Sequence, residues 1–407
     1  MKTICRRNAL IALVLLQVCG IAFAKDSGKY FLFVGTYTDV DGKDSGSKGI
    51  YSYRFDESSG KLSSLGVAAE TTNPSFLAVA PGGKFLYAVN EVHDYKGTAS
   101  GGVTAFRIDR KTGKLAQLDE VASRGSDPCY ISFDRSGKHA FVANYTGGDV
   151  AVLPLLSDGR VAEASSVLND TGALGPNKDR QDAPHAHWIE ASARNRFAYV
   201  SDLGLDRVLI YKFDATKGTL SPGESTPAAA EAKPGASGSE DPFSATLAPG
   251  TGPRHVAFSA SGDFMYVLGE LDSTVTVFSN DAKNTFRSIQ KISALPAGFS
   301  EKNDAAEIAV HPSGKFLYTS NRGDDSIAVF TIDRTTGKLR FTQRVPSGGK
   351  APRNFTIDPQ GARLLVANQD SGNIVEFHID QATGMLKSMG EVAQVPSPVC
   401  LVFVALD

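Results

Sequence analysis

Short apolar runs alternate with turn residues along almost the entire chain, and one pattern of runs recurs. Each unit has an apolar strand, a turn of the Pro-x-Gly type and a second apolar strand that ends on a polar residue, as in Phe76–Asn90 and Tyr130–Asn144. A strand of alternating apolar and polar residues and a Thr-Gly-Lys-Leu hairpin follow, as in Ser326–Asp333 and Thr336–Leu339. Period-two alternation is typical of half-buried strands. Four short antiparallel strands in about 50 residues predict a blade of a β-propeller.

Two incomplete units at the ends of the chain set the number of blades. Six complete units leave residues 30–65 and 391–407 unassigned. Tyr30–Tyr37 resembles a second strand, and Ser397–Phe403 resembles a first strand. Joining the two halves completes a seventh blade and closes the ring, which removes exposed strand edges. The sequence therefore predicts an all-β, seven-bladed β-propeller closed by strands from both termini, with residues 25–407 as a single domain.

Residues 1–24 have the features of a secretory signal peptide. Basic side chains precede an apolar run, Ala9–Val18, and small residues stand before the predicted cleavage between Ala24 and Lys25. The apolar run is shorter than the ~20 residues that a membrane-spanning helix requires. We therefore expect a periplasmic or secreted protein that has no membrane attachment once the signal is removed.

Composition and cysteine usage narrow the function classes. Hydrophobic residues make up 42% of the chain and charged residues 21%, which is typical of a globular rather than a disordered protein. The formal net charge of −2 excludes a generally basic nucleic-acid-binding protein. The two cysteines outside the signal lie in apolar, strand-like runs. We expect Cys129 and Cys400 to be buried free thiols rather than a disulfide.

Polar residues recur at equivalent positions of the units and would therefore form a ring around a central channel. At the ends of the second strands they are Asn90-Glu91, Asn144-Tyr145, Asp202, Glu270, Asn321-Arg322 and Asn368-Gln369. Before or within the first strands they are His185, His187, Arg254, His255, Glu307 and Arg353. Taken singly, such residues are usually turn formers or hydrogen-bonded structural side chains. Superposed on one ring, they predict a cluster of His, Arg and Glu side chains in one channel mouth.

Other polar and aromatic residues have a structural interpretation. His139 and His311 lie near the turns on the opposite side of their blades and are expected at the surface, and Trp188 is expected in the core. Two connections, residues 161–183 and 221–252, break the rhythm of the repeat. They are either solvated loops or a partial lid over the polar cluster.

An ordered set of short motifs accompanies the repeat. The motifs are Phe33–Thr38, His185–His187, Tyr199–Arg207, Gly252–His255, Glu270, Glu307, His311–Arg322 and Ala351–Arg353. With them, essentially the whole mature chain resembles the seven-bladed propeller lactonase family, which includes a bacterial 6-phosphogluconolactonase branch and a fungal carboxymuconate cyclase branch. The resemblance implies catalytic positions at His187, Arg254, Glu270 and Arg322. Glu307 and Arg353 also match family positions, and we predict that His185, His255, Glu307 and Arg353 bind the substrate.

These side-chain types suit the opening of a lactone ring, which needs an activated water and a stabilised oxyanion. His187 or Glu270 can act as the base, because burial and neighbouring charges tune either group toward neutral pH. Arg254 and Arg322 can bind the acyl oxygen and a substrate carboxylate or phosphate. The same residues also suit a cycloisomerase, in which the histidine donates a proton.

We expect an exported lactonase, without a cofactor, that opens the ring of an anionic small-molecule lactone such as a sugar-acid lactone. The alternatives are a carboxymuconate-type cycloisomerase, a propeller that only binds a protein or a glycan, and a calcium-dependent lactonase. Arg322 in the ring disfavours a central cation. His185 and His187, two residues apart on one face of a predicted strand, are the pair best suited to a weak zinc site, and no metal is expected.

Overall fold

The strands of this protein form the blades of a propeller. The computed structural model describes residues 29–223, 243–281 and 285–406, so the predicted signal peptide lies outside the described residues. Within these ranges the chain forms strands and turns and has no helix, and hence no helix that could cross a membrane. Seven antiparallel sheets follow one another along the chain. The predicted fold class, a seven-bladed β-propeller, is confirmed.

Each blade is a sheet in which the first to the fourth strand pair in that order. Blade 1 has Pro398–Ala405, Lys29–Thr36, Gly49–Asp56 and Leu62–Glu70. Blade 2 has Leu77–Val79, Phe85–Asn90, Gly102–Ile108 and Leu115–Ala122. Blade 3 has Pro128–Phe133, His139–Asn144, Asp149–Pro154 and Ser166–Asn169. Blade 4 has Ala186–Ala191, Phe197–Asp202, Arg207–Asp214 and Thr219–Pro222, with Ser244–Thr246 added beside its third strand.

The remaining blades follow the same plan. Blade 5 has Pro253–Phe258, Phe264–Gly269, Thr274–Asn280 and Phe286–Ser293. Blade 6 has Asp304–Val310, Phe316–Arg322, Ser326–Ile332 and Leu339–Pro346. Blade 7 has Pro352–Ile357, Arg363–Asn368, Asn373–Ile379 and Leu386–Gln394. A small hairpin, Asp39–Val40 with Lys43–Asp44, follows the second strand of blade 1.

Blade 1 is assembled from both ends of the chain. Its first strand, Pro398–Ala405, pairs antiparallel with Lys29–Thr36, and Leu401 lies opposite Val34. Contacts between the first strands of neighbouring blades run round the whole ring and return to blade 1. The ring is therefore closed by strands from both termini, as the two incomplete units predicted.

Each blade buries both of its faces against its neighbours. In the third strand of blade 6, Ala328 and Phe330 pack toward blade 5, whereas Ile327 and Val329 pack toward blade 7. All four side chains are fully buried. Because neither face of such a strand meets water, its sequence is a nearly continuous apolar run, and the expectation of a half-buried strand with alternating apolar and polar residues is wrong here. Burial of one Val, Ile or Phe side chain contributes about 1.5–3 kcal/mol, so the stability of the ring is distributed over the interfaces between blades.

A β-bulge at the start of the first strand turns side chains toward the channel. In blades 3 to 7 the pairing of the first strand with the second slips at this point. A bulge re-aims the side chain of the extra residue. The residues at the slips are Cys129, His187, Arg254 with His255, Ala306 with Glu307, and Arg353.

The second strands supply a matching set of side chains. The position at or directly after the end of each second strand carries Tyr37, Glu91, Tyr145, Leu203, Glu270, Arg322 and Gln369. The start of each first strand pairs with the end of a second strand, because the two strands are antiparallel. Both sets of side chains therefore surround the same mouth of the channel.

His139 and His311 are buried, and the expectation that they lie at the surface is wrong. His311 is 2% exposed, and its Nε2 lies 2.8 Å from the carbonyl oxygen of Gly361 in the next blade. His139 is 7% exposed and packs edge-on against Phe213, also in the next blade. The turn side of a blade is packed against the following blade, and the repeat pattern alone does not reveal this contact.

The other structural expectations agree with the fold. Cys129 and Cys400 are buried free thiols, as predicted. Trp188 is buried and packs against Tyr130 and Phe258. Trp188 therefore packs between neighbouring blades, and Cys129 lies beside the channel.

Candidate active site

A cavity of about 260 Å³ lies in the channel mouth where the two sets of side chains meet. Its wall consists of Glu91, Cys129, Tyr145, Arg180, His187, Glu270, Asp304, Arg322 and Arg353. Of the four predicted catalytic residues, His187, Glu270 and Arg322 are in this wall. Arg254 is buried and lines a much smaller cavity that shares Glu91, Cys129 and Arg353 with this wall. The fold therefore brings the predicted residues together around one small space.

Glu270 is the charged centre of the site. Its Oε2 lies 3.0 Å from Nε of Arg254 and 3.1 Å from Nη2 of Arg322, and its Oε1 lies 2.6 Å from Nη2 of Arg180. Burial alone would raise the pKa of this carboxyl, but the guanidinium groups outweigh burial and hold the pKa well below its ordinary value. Glu270 is therefore an ionised carboxylate that fixes the positions of three arginines.

His187 lies beside this cluster. Its surroundings favour the neutral form of its side chain, whereas those of Glu270 favour the charged form. Its Nε2 lies 3.8 Å from Oε2 of Glu270, and its Nδ1 lies 3.6 Å from Sγ of Cys129. Burial, reinforced by the charge of Arg254, lowers the pKa of His187 well below its ordinary value. The imidazole is thus neutral at neutral pH, and it has a nitrogen lone pair available to accept a proton.

His255 and Glu307 form a hydrogen-bonded chain behind Arg254. Nδ1 of His255 lies 3.0 Å from Oε1 of Glu307, and Nδ2 of Asn354 donates to Oε2 of Glu307 at 2.5 Å. Nε2 of His255 lies 3.4 Å from Nη1 of Arg254, which also donates to the carbonyl oxygen of Ala306 at 2.5 Å. The pKa of His255 is lowered by burial, and the pKa of Glu307 is lowered because the nearby His255 and Arg254 outweigh burial. This chain fixes Arg254 from the side away from the cavity.

His185 does not line the cavity. It precedes the first strand of blade 4, and its ring stacks on Tyr145 at 4.5 Å between centroids. Its Nε2 lies 3.0 Å from Oδ1 of Asp182, and its Nδ1 lies 3.1 Å from the carbonyl oxygen of Tyr145. The predicted pairing with His187 on one strand face is therefore absent. In the described part of the chain, no group of three or more His, Cys, Asp or Glu side chains is arranged to hold a metal ion.

Two residues of the cavity wall, Arg353 and Glu91, are linked by hydrogen bonds to the hydroxyl of Tyr37. Nη2 of Arg353 donates to the hydroxyl of Tyr37 at 2.8 Å, and its guanidinium lies 5.2 Å from the centre of the Tyr37 ring. The Tyr37 hydroxyl in turn donates to Oε1 of Glu91 at 2.8 Å. Burial raises the pKa of Tyr37 and also that of Glu91. Arg353 lines the cavity and has no acidic ion-pair partner among the described residues.

Arg180 brings the connection after blade 3 into the site. Besides its contact with Glu270, its Nη2 lies 3.3 Å from the hydroxyl of Tyr145, and its Nη1 lies 3.4 Å from Oδ1 of Asp304. The adjacent Gln181 is fully buried and anchors the connection. This connection is therefore part of the site wall rather than a remote solvated loop. Residues 224–242 of the second irregular connection lie outside the described residues.

Four residues of the wall and its support were not predicted as site residues: Tyr37, Cys129, Arg180 and Asp304. Tyr37 occupies the same position after a second strand as Glu91, so the repeat contained a signal for it. Asp304 begins the first strand of blade 6. Arg180 lies outside the repeat, and no pattern in the sequence marks it.

A closed seven-bladed propeller with an arginine-rich site in its channel defines the class of this protein. The chain matches the family described as "Lactonase, 7-bladed beta-propeller" over residues 31–403. The match spans most of the chain, so the protein belongs to this family. The resemblance found in the sequence motifs is thereby confirmed.

Particular relatives agree with this assignment. A Bacillus subtilis protein named 6-phosphogluconolactonase is 35% identical over 376 residues, which are 92% of this chain and 98% of that protein. A putative 6-phosphogluconolactonase from Bacteroides fragilis superposes with a TM-score of 0.81 at 35% identity, covering 94% of this chain and 99% of that chain. The periplasmic gluconolactonase of Pseudomonas aeruginosa superposes with a TM-score of 0.80 at 36% identity, covering 93% and 100% of the two chains. The expectation of a lactonase-class protein is confirmed.

Proposed function

We propose that this protein is an exported lactone hydrolase that opens the ring of a small sugar-acid lactone. The observation that carries the proposal is a neutral histidine beside cavity-facing guanidinium groups in one small space. Pockets for drug-sized ligands have volumes of about 300–1,000 Å³. The cavity of about 260 Å³ therefore suits a substrate with a single ring.

His187 is the general base in this proposal. A neutral imidazole accepts a proton from water as the water oxygen attacks the acyl carbon of the lactone. Glu270 is a poor base, because three guanidinium groups stabilise its charged form. At 3.8 Å from Nε2, the Glu270 carboxylate instead stabilises the imidazolium that forms.

Arg322 and Arg353 stabilise the charge that develops on the substrate. As water adds, the carbonyl π electrons move to the acyl oxygen, and an oxyanion forms. Both guanidinium groups lie in the cavity wall, where charge-assisted hydrogen bonds to an oxyanion are strong. Arg254, buried behind Glu270, acts on the reaction by holding that carboxylate in place.

The charges of the cavity and the features of the chain support a particular substrate class. The cavity wall holds three arginines and three carboxyls. The carboxyls Glu270 and Asp304 contact cationic partners, whereas burial raises the pKa of Glu91 and favours its neutral form. Such a site favours an anionic substrate and stabilises the carboxylate that hydrolysis produces. The signal-like first residues and the periplasmic gluconolactonase relative support a location outside the cytoplasm, and the relative also supports an aldonolactone as the substrate.

A lactone panel tests this proposal. The protein from Lys25 onward is incubated with glucono-1,5-lactone, its 6-phosphate and carboxylated lactones, and acid release is recorded by pH-stat with and without EDTA. We expect acid release above the spontaneous rate, unaffected by EDTA. Formation of a lactone from a carboxymuconate would instead favour the cycloisomerase. Binding of lactones without turnover would favour a non-catalytic propeller.

A further inference from the structure

The three carboxyls of the cavity wall differ in their partners. Glu270 contacts three guanidinium groups, and Asp304 lies 3.4 Å from Arg180 and 3.9 Å from Nζ of Lys302. Glu91 has no ion-pair partner among the described residues, although it lines the same cavity. An unpaired carboxyl in a desolvated site is held in its neutral form more readily than a paired one.

The surroundings of Glu91 come from three blades. Tyr37 of blade 1 donates a hydrogen bond to Oε1 of Glu91, and it accepts one from Arg353 of blade 7, which makes no ion pair with the carboxyl. Asp127 and the buried thiol of Cys129 face it from the start of blade 3. Burial is the largest influence and raises the pKa of Glu91, with a smaller contribution from Asp127. The charge of Arg353 and the hydroxyls of Ser75 and Tyr37 oppose this rise in the pKa.

Glu91 and His187 face the cavity from different blades. His187 stands on the bulge of blade 4 and Glu91 follows the second strand of blade 2, and Cys129 of the intervening blade 3 lines the same cavity. The surroundings lower the pKa of the histidine and raise that of the glutamate. Two titratable groups in one site whose pKa values are displaced in opposite directions form the usual arrangement of a general base and a general acid.

We propose that Glu91 is the general acid that protonates the ring oxygen of the lactone as it leaves. The inference rests on the proposed lactone hydrolysis. The water oxygen bonds to the acyl carbon, its proton goes to His187, and the carbonyl π pair moves to the acyl oxygen. When the carbonyl re-forms, the bond between the acyl carbon and the ring oxygen breaks, and the freed electron pair takes the proton of Glu91. Transfer of a proton from His187 to Glu91 through solvent restores both groups.

The pH dependence of kcat for Glu91→Gln tests the assignment, with Glu163→Gln as the control because Glu163 is exposed on the connection between the third and fourth strands of blade 3. A general acid must be protonated, so the wild-type enzyme loses activity at high pH. We expect Glu91→Gln to lower kcat by about 100- to 10,000-fold and to abolish this alkaline limb. Tyr37→Phe removes a hydrogen bond that favours the carboxylate, so the alkaline limb should move to higher pH.

The nature of the leaving group gives an independent readout. In 3,4-dihydrocoumarin the leaving oxygen is a phenolate, which departs without a proton, so Glu91→Gln should lose much less activity on it than on glucono-1,5-lactone. An equal loss on both lactones, or a Glu91→Gln enzyme that keeps its kcat and its alkaline limb, would overturn the role of Glu91 and leave lactone hydrolysis intact. Absence of turnover by the wild-type protein on every lactone would overturn the proposed function itself.

Discussion

At the scale of single residues, burial and neighbouring charge decide which group can accept a proton. The sequence left the base open between His187 and Glu270. The two side chains are adjacent and almost equally buried, yet the guanidinium groups stabilise the charged carboxylate and destabilise a charged imidazole. Burial and the charge of Arg254 disfavour the charged imidazole, whereas Arg322, Arg254 and Arg180 stabilise the carboxylate. The folded arrangement makes this choice, and no spacing in the sequence encodes it.

The first residue-scale prediction concerns His187. A base must be unprotonated, so wild-type activity should persist through neutral pH and decline only below the lowered pKa of this histidine. His187→Gln should reduce kcat by about 100- to 10,000-fold and remove this acid limb. The control is His378→Gln, on the exposed side of the third strand of blade 7. A His187→Gln enzyme that keeps both its kcat and its acid limb would exclude His187 as the base.

The second residue-scale prediction concerns Arg322. Loss of a group that stabilises an oxyanion typically lowers turnover by ~100- to 1,000-fold, and we expect this for Arg322→Ala. Arg322→Lys should recover only part of the activity, because an ammonium group cannot make two parallel contacts. Arg160→Ala is the matched control, since its side chain is 53% exposed and pairs with Asp158 far from the channel. Wild-type kcat/KM in Arg322→Ala would place the oxyanion elsewhere.

At the scale of elements, the repeat made most of the site predictable. Strand ends recur at fixed points of each unit, so His187, Glu270 and Arg322 could be superposed on one ring before the fold was known. Two contributions escaped this reasoning. The bulges that aim the first-strand residues appear only in the pairing register, and Arg180 belongs to a connection that no repeat constrains.

Arg180→Ala tests whether the connection after blade 3 works with the site. The variant removes a charge-assisted hydrogen bond to Glu270, which is worth about 1.5–3 kcal/mol, so kcat/KM should fall by about 10- to 100-fold. The melting temperature should change little, because the Arg180 side chain is 33% exposed and lies outside the blades. Lys178→Ala, exposed on the same connection, is the control and should behave as the wild type. Equal activities of the two variants would mean that Arg180 has no part in the activity.

At the scale of the whole molecule, ring closure and the site are physically linked. The backbone N–H of Leu401, in the closing strand, donates to Oδ1 of Asn354 at 2.9 Å. Nδ2 of the same asparagine donates to Glu307, which lies 3.0 Å from the His255 ring. The chain of contacts ends at Arg254 and Glu270. A strand from the C-terminus thus supports the position of the central carboxylate.

The last prediction follows from this link. Deleting residues 396–407 removes the strand that pairs with Lys29–Thr36 and exposes apolar surface on both sides of the gap, so the cooperative unfolding transition should be lost. Leu401→Ala is a milder test: the side chain is 5% exposed, and the change should cost about 2–5 kcal/mol. Met389→Ala, 55% exposed on the fourth strand of blade 7, should unfold as the wild type does. Thermal unfolding followed by circular dichroism, with lactonase activity measured on the same samples, should show fold and activity lost together in Leu401→Ala. A truncated protein that melts as the full chain does would mean that the closing strand does not hold the ring.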